Sequence, residues 1–140
     1  NCGNVVTNAN DNVVGSLRYV LANCISSGDT VKFDSSLSLL LITSDTIILD
    51  KNVTIYASDQ DNIIISGIGT HSIFKVQPTI NARIQNLGML TGSGVEARAI
   101  YNKGSLSLED VEIHDSGLPG NAVLNKGLLT VIGQTGIHTP

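Results

Sequence analysis

The chain has 140 residues, a formal net charge of −4 and 14% charged residues, against roughly 25% in an average globular domain. That is one domain, long enough to bury a real core, and its acidic balance argues against a non-specific nucleic-acid binder, which carries a basic face. Aromatics make up 4%, Trp is absent, and Ile, Val and Leu supply most of the hydrophobic content, a β-rich composition that excludes a helical bundle, and no run approaches the roughly 20 apolar residues of a membrane span.

In chain order, the sequence opens at Asn1-Cys2-Gly3 with no signal peptide in view. Apolar residues then fall at Leu17, Val20, Leu21, Cys24 and Ile25. This i, i+3, i+4, i+7, i+8 spacing predicts a helix over about 17–25 with one buried face. Ser16 is its expected N-cap and Gly28 its expected terminator. From Thr30 the pattern changes to short strands at 30–33, 39–42, 46–49, 53–57, 63–66 and 73–76. Polar punctuation such as Asp34-Ser35-Ser36 and Asp50-Lys51-Asn52 separates them.

Further on, the sequence repeats itself. Asn102-Lys103-Gly104 returns as Asn125-Lys126-Gly127, 23 residues later, with matching apolar positions around it. The segment 82–89 aligns with 106–113 at an offset of 24, and Asn52-Val53-Thr54-Ile55 begins the same strand 29 residues earlier. Repeats in the twenties mark a solenoid. Two or three alternating strands per repeat, with Gly and Asn corners, favour an all-β right-handed parallel β-helix over a leucine-rich repeat. Its rungs stack about 4.8 Å apart.

In that register Ile84, Leu87, Leu106, Leu108, Val111, Ile113, Leu129 and Val131 point inward, and Ser107, Glu109 and Glu112 outward. Asn102 and Asn125 occupy equivalent corners, where stacked amides hydrogen-bond along the coil. Gly104 and Gly127 are expected to turn those corners with positive φ. The helix is placed to cover the N-terminal mouth of the solenoid. We therefore read 1–140 as one domain, with a cap at 1–34 and rungs over 35–140. No second amphipathic helix follows Leu129, so the last rung is expected to expose Val123, Leu129 and Val131. Such an open edge invites self-association.

A parallel β-helix can carry polysaccharide chemistry, which needs paired carboxylates on neighbouring rungs. The outward columns read Thr54/Arg83/Ser107/Thr130 and Tyr56/Gln85/Glu109/Ile132, with Asp110 near Asn86 and Gly133, and none is an acid–acid column. Glu109, Asp110, Glu112 and Asp115 read as a solvated acidic face. Asp59-Gln60-Asp61-Asn62 supplies about half the oxygen ligands of a Ca²⁺ site and reads as a loop. His71, His114 and His138 have no metal or triad spacing. No catalytic residue, metal or cofactor is therefore expected. Asn52-Val53-Thr54 matches a glycosylation sequon but begins a strand. Cys2 and Cys24 fit either one disulfide of a secreted protein or two buried thiols.

Gly15-Ser16-Leu17-Arg18-Tyr19-Val20-Leu21 followed by Gly28-Asp29-Thr30-Val31-Lys32-Phe33-Asp34 resembles the N-terminal signature of bacterial surface β-helix proteins, the CSLREA-type and polymorphic-outer-membrane-protein-like adhesins. Asn52-Val53-Thr54-Ile55 and Ile100-Tyr101-Asn102-Lys103-Gly104-Ser105-Leu106-Ser107-Leu108 match the rungs of that group. The resemblance spans nearly the whole chain. It implies a secreted or cell-surface bacterial module, adhesin-like or structural, that belongs to the N-terminal part of a longer protein and meets a glycan or host-surface ligand. The alternative is the N-terminal part of a carbohydrate-active, pectate-lyase-like β-helix whose active rungs lie further along.

Overall fold

A computed structural model of the chain describes residues 2–58, 62–67, 71–91, 97–115 and 121–138. Alternating apolar and polar residues put one face of each short strand inside, and no single strand can bury that face alone. The solution is a parallel β-helix. Its first coil comprises β2 (Asp29–Phe33), β3 (Leu39–Leu41) and β4 (Ile47–Leu49), and its second β5 (Val53–Tyr56), β6 (Ile64–Ser66) and β7 (Phe74–Val76). The third comprises β8 (Asn81–Gln85), β9 (Gly88–Leu90) and β10 (Ala97–Asn102), and the fourth β11 (Ser105–Glu109), β12 (Glu112–His114) and β13 (Asn121–Asn125). The fifth holds β14 (Leu128–Ile132) and β15 (Gly136–His138). These form three parallel sheets, β2-β5-β8-β11-β14, β3-β6-β9-β12-β15 and β4-β7-β10-β13, with β1 (Val5–Val6) added to the outer edge of the first.

The ladder registers carry the repeat. Val53 faces Ala82, Ala82 faces Leu106 and Leu106 faces Leu129, the 29-, 24- and 23-residue offsets expected. Relative to the third coil, the extra residues of the second fall between β5 and β6. Inward residues stack as columns: Val31/Ile55/Ile84/Leu108/Val131 on the first sheet, Leu40/Ile65/Met89/Ile113/Ile137 on the second and Ile47/Phe74/Ile100/Val123 on the third. Through the fourth coil the first two columns are buried. Each such aliphatic side chain contributes roughly 1.5–3 kcal/mol. Leu87 and Val111 are buried as expected, whereas Leu129 is only half-buried and Val131 is exposed, because no coil follows theirs among the described residues.

Helix α1 (Leu17–Asn23) is capped by Ser16, whose side chain accepts from the Tyr19 N–H, and it buries Leu17, Val20 and Leu21. It ends two residues short of the expected 25, at a Cys24 C-cap that remains right-handed. Gly28 is not its terminator. With φ +97° it instead turns the chain into β2, donating its N–H to the Asn52 carbonyl. The first coil therefore starts at Asp29, inside the stretch read as cap, and the two-residue β1 was not foreseen. The cap is fastened at three places. Cys2 and Cys24 form a disulfide. Lys51 Nζ donates to the carbonyls of Leu21 and Ala22 at the helix C-terminus, at 3.0 and 3.1 Å. Asp11 and Arg18, described below, tie the N-terminal segment and helix to the turn before β4.

The Asn–Lys–Gly corners stack as predicted, with one correction. Asn102 is fully buried, and its Nδ2 donates to Asn125 Oδ1 at 2.8 Å and to the Leu128 carbonyl at 2.9 Å. Its Oδ1 accepts from the Gly104 N–H, and Asn125 repeats that bond to Gly127. Neither Gly104 nor Gly127 has positive φ. Glycine is required there for space: a Cβ on Gly104 would strike the Gln77 and Ile80 carbonyl oxygens, and one on Gly127 the Gly104 carbonyl. The left-handed corner lies elsewhere, in the column of Asn86 (φ +59°), Asp110 (φ +54°) and Gly133 (φ +68°), residue types that tolerate this conformation.

Candidate ligand-binding face

The carboxylates of the fourth coil do not share one environment. Outward-facing Glu109 accepts from Gln85 Nε2 at 3.1 Å. Asp110 turns the left-handed corner and accepts from the Gln134 N–H at 2.7 Å. Glu112 lies 3.6 Å from His138 Nε2 on the outer side of the second sheet, where the His114 and His138 rings stack. Asp115 departs from the expected solvated face. It is buried and takes both Arg98 Nε and Nη2, at 2.6 and 2.7 Å. His114 and Asp115 do point to opposite sides, His114 exposed and Asp115 buried. Asp59, Gln60 and Asp61 lie outside the described residues. Among the described residues no group of three or more His, Cys, Asp or Glu is placed to hold a metal ion.

Two ion pairs absent from the sequence reading organise the polar interior. Asp11 accepts from Arg18 Nε at 2.8 Å, from the Thr43 and Ser44 N–H groups and from the Ser44 hydroxyl, each of these three at 2.9 Å. Arg18 also donates to the Asp45 and Thr46 carbonyls. Burial raises the Asp11 pKa, but the bonds from Arg18 and Ser44 and the Arg18 charge outweigh it and hold the carboxyl well below its ordinary value. In the second pair the bond to Asp115 raises the Arg98 pKa against its own desolvation. Burying both charges is favourable only because the contact is bidentate and further bonded, and Thr91 Oγ1 adds a bond to Asp115 at 3.2 Å. Among the described residues, Arg98 Nη1 and His71 Nε2 are buried without a hydrogen-bond partner. The sequence offered little signal for either pair, since the partners lie 7 and 17 residues apart.

Of the open clefts on the outer surface among the described residues, one of about 290 Å³ lies against α1, lined by Arg18 and Lys51 among others, and two follow the sheets. The first, about 320 Å³, runs along the corner between the first two sheets and is lined by Asn62, Asn86, Asp110, Glu112, His114 and Gln134, among others. Its acids are largely engaged by the contacts given above. The second, about 350 Å³, crosses the outer face of the first sheet between the second and fourth coils. Thr54, Arg83 and Ser107 face one another there in the column read from the sequence. Asn52, Asn81 and Ser105 border them. Arg83 is exposed, unlike Arg18 and Arg98, which are each clamped to an aspartate. On the third sheet, Lys75 and Lys103 instead lie over the Tyr101 ring, 5.2 and 5.4 Å from its centre.

Comparison with protein-family models, with curated proteins and with solved structures returns no match. No described helix is long and apolar enough to cross a membrane.

Proposed function

We propose that this chain is a non-catalytic β-helix module of a secreted or cell-surface bacterial protein, whose rigid outer faces present binding groups rather than reacting ones. The observation that carries this reading is the separate engagement of the fourth-coil acids. Gln85 holds Glu109, a backbone N–H holds Asp110, His138 neighbours Glu112, and Arg98 neutralises Asp115. Glycoside hydrolysis instead needs two carboxyls flanking one bond. The Cys2–Cys24 disulfide supports an oxidising compartment, and the resemblance of the helix signature and rungs to surface adhesins supports the same placement.

The test is incubation with pectin-like and other acidic polysaccharides, with and without Ca²⁺, while new chain ends are measured. No turnover is expected. Cleavage that disappears in Glu109→Ala or Asp59→Ala would replace this reading with a carbohydrate-active one. Intact mass without reductant tests the compartment argument, and two freely alkylatable thiols in the native protein would remove that support.

A further inference from the structure

We infer that the cleft on the first sheet is a binding site for one acidic sugar unit, with Arg83 receiving its carboxylate or sulfate and the flanking side chains its hydroxyls. The inference rests on the surface-module reading above and assigns that module a ligand class. Most polar side chains here are unspent, Asn52 excepted, whose Oδ1 accepts from the Asn81 N–H and leaves only its N–H₂ to donate. Among the described residues the side chains of Thr54, Arg83, Ser105 and Ser107 make no hydrogen bond, whereas Arg18 and Arg98 are both consumed in structural pairs. No carboxylate lines the cleft. Of the acids on the flanking ladder, Glu109 stands one outward column over and is bonded to Gln85, and Asp29, paired with Val53, accepts from the Ser26 N–H.

The chemistry of the lining selects the ligand. A guanidinium binds planar oxyanions through paired N–H donors. A small inorganic anion would use donors only, but hydroxyls and amides both donate and accept. Thr54, Ser105, Ser107, Asn52 and Asn81 therefore suit the hydroxyls of a sugar ring. They belong to three successive coils about 4.8 Å apart, so the face is long enough for a ring and its substituents. Tyr56 lies two residues beyond Thr54 on the same outward side and offers an aromatic flank. A single arginine in the cleft, on a chain of net charge −4, suits a single charged unit better than a polyanion, which the overall field repels.

The experiment titrates the chain with tri-galacturonate, with a sulfated disaccharide and with neutral maltotriose, following both binding and new chain ends. At least one acidic probe is expected to bind, maltotriose more weakly. Arg83→Gln should lower that affinity roughly tenfold or more. Ser107→Ala should lower it less, and Lys103→Gln, on another sheet, should leave it unchanged. Arg83 is exposed, so the variant should melt with the wild type, and the comparison is made on protein shown to do so. Preference for the uronate or for the sulfate names the acidic group, and either supports the site. Binding indifferent to Arg83→Gln, equal binding of maltotriose, or no binding of either acidic probe overturns it while leaving the module reading intact. Cleavage of the probe overturns the non-catalytic reading, and the site is then judged on the Arg83→Gln binding comparison alone.

Discussion

The two ends of the coil are built from the same repeat and finished in opposite ways. At the N-terminal end, α1 buries Leu17, Val20 and Leu21 against the first coil, and a disulfide, the Asp11–Arg18 network and Lys51 hold it there. At the C-terminal end, Leu128, Val131 and Ile137 are 64%, 55% and 52% exposed. Val131 occupies the same inward column as Leu108, which is 3% exposed. In a solenoid, burial thus belongs to the neighbouring coil as much as to the residue. An apolar side chain at an inward position contributes its full transfer energy only when a further coil or a cap closes over it.

Paired substitutions in that one column give the largest contrast. Leu108→Asp should cost several kcal/mol, or force the carboxyl to take a proton, because the charge has no partner in the core. Val131→Asp should stay within about 1 kcal/mol, since water already reaches that position. Denaturant unfolding of both variants checks this, and cooperative folding of Leu108→Asp at wild-type stability would contradict the register.

The covalent fastening comes next. The disulfide spans 22 residues, and in the loop-entropy model its removal should cost about 3 kcal/mol. Calorimetry with and without reductant, and on Cys24→Ser, measures it. An unchanged melting temperature would mean that the cap is held without it, and that the two ends differ less than their geometry indicates.

Asp11 gives a smaller effect with a pH signature. Asp11→Asn should cost about 2 kcal/mol at neutral pH, because hydrogen bonds to a charged group are lost. The folded carboxyl titrates below its ordinary value of 3.8. Its contribution is therefore complete above that pH and is lost as pH falls through the lower, folded value. The gap between wild type and variant should be widest at neutral pH and shrink below about pH 4, which unfolding curves across that range resolve. A gap independent of pH would remove the charge from the explanation.

The contrast between ends also marks what the amino-acid pattern made readable. Alternation and the Asn–Lys–Gly marker gave the offsets between Val53, Ala82, Leu106 and Leu129, and the outward columns with them. Those features repeat because every coil must solve the same packing problem. The first coil lacks the marker, so the strand expected from Thr30 was grouped with the cap rather than with the coils, although β2 pairs with β5 from Asp29 to Val31. The roles of Gly104 and Gly127 were misjudged because a turn and a close backbone approach both select glycine. Arg98–Asp115 was hidden because a charge aimed inward looks, in one sequence, like a charge aimed outward. The Arg83 column was visible, but its significance depends on the other two arginines being occupied, which only their three-dimensional partners show.

The smallest effect concerns association at the open end. The exposed strands β14 and β15 lack a neighbour beyond them among the described residues, and unpaired N–H and C=O groups beside apolar side chains favour pairing with another edge. In a longer chain the next coil would fill this place. In the 140-residue chain, two copies meeting end to end would bury Leu128 and Ile137 in a two-fold dimer. Light scattering over a concentration series should show weak, reversible dimerisation. Leu128→Lys should weaken it about tenfold, about 1.4 kcal/mol, by placing like charges at the contact, without lowering the melting temperature of the monomer. A mutation of similar character at the fastened end, Val14→Lys on an exposed residue before the helix, should leave association unchanged. A strict monomer at high concentration would show that the open coil tolerates water as well as the capped one does. The asymmetry between the ends would then concern how the cap is held, not what the far end must bind.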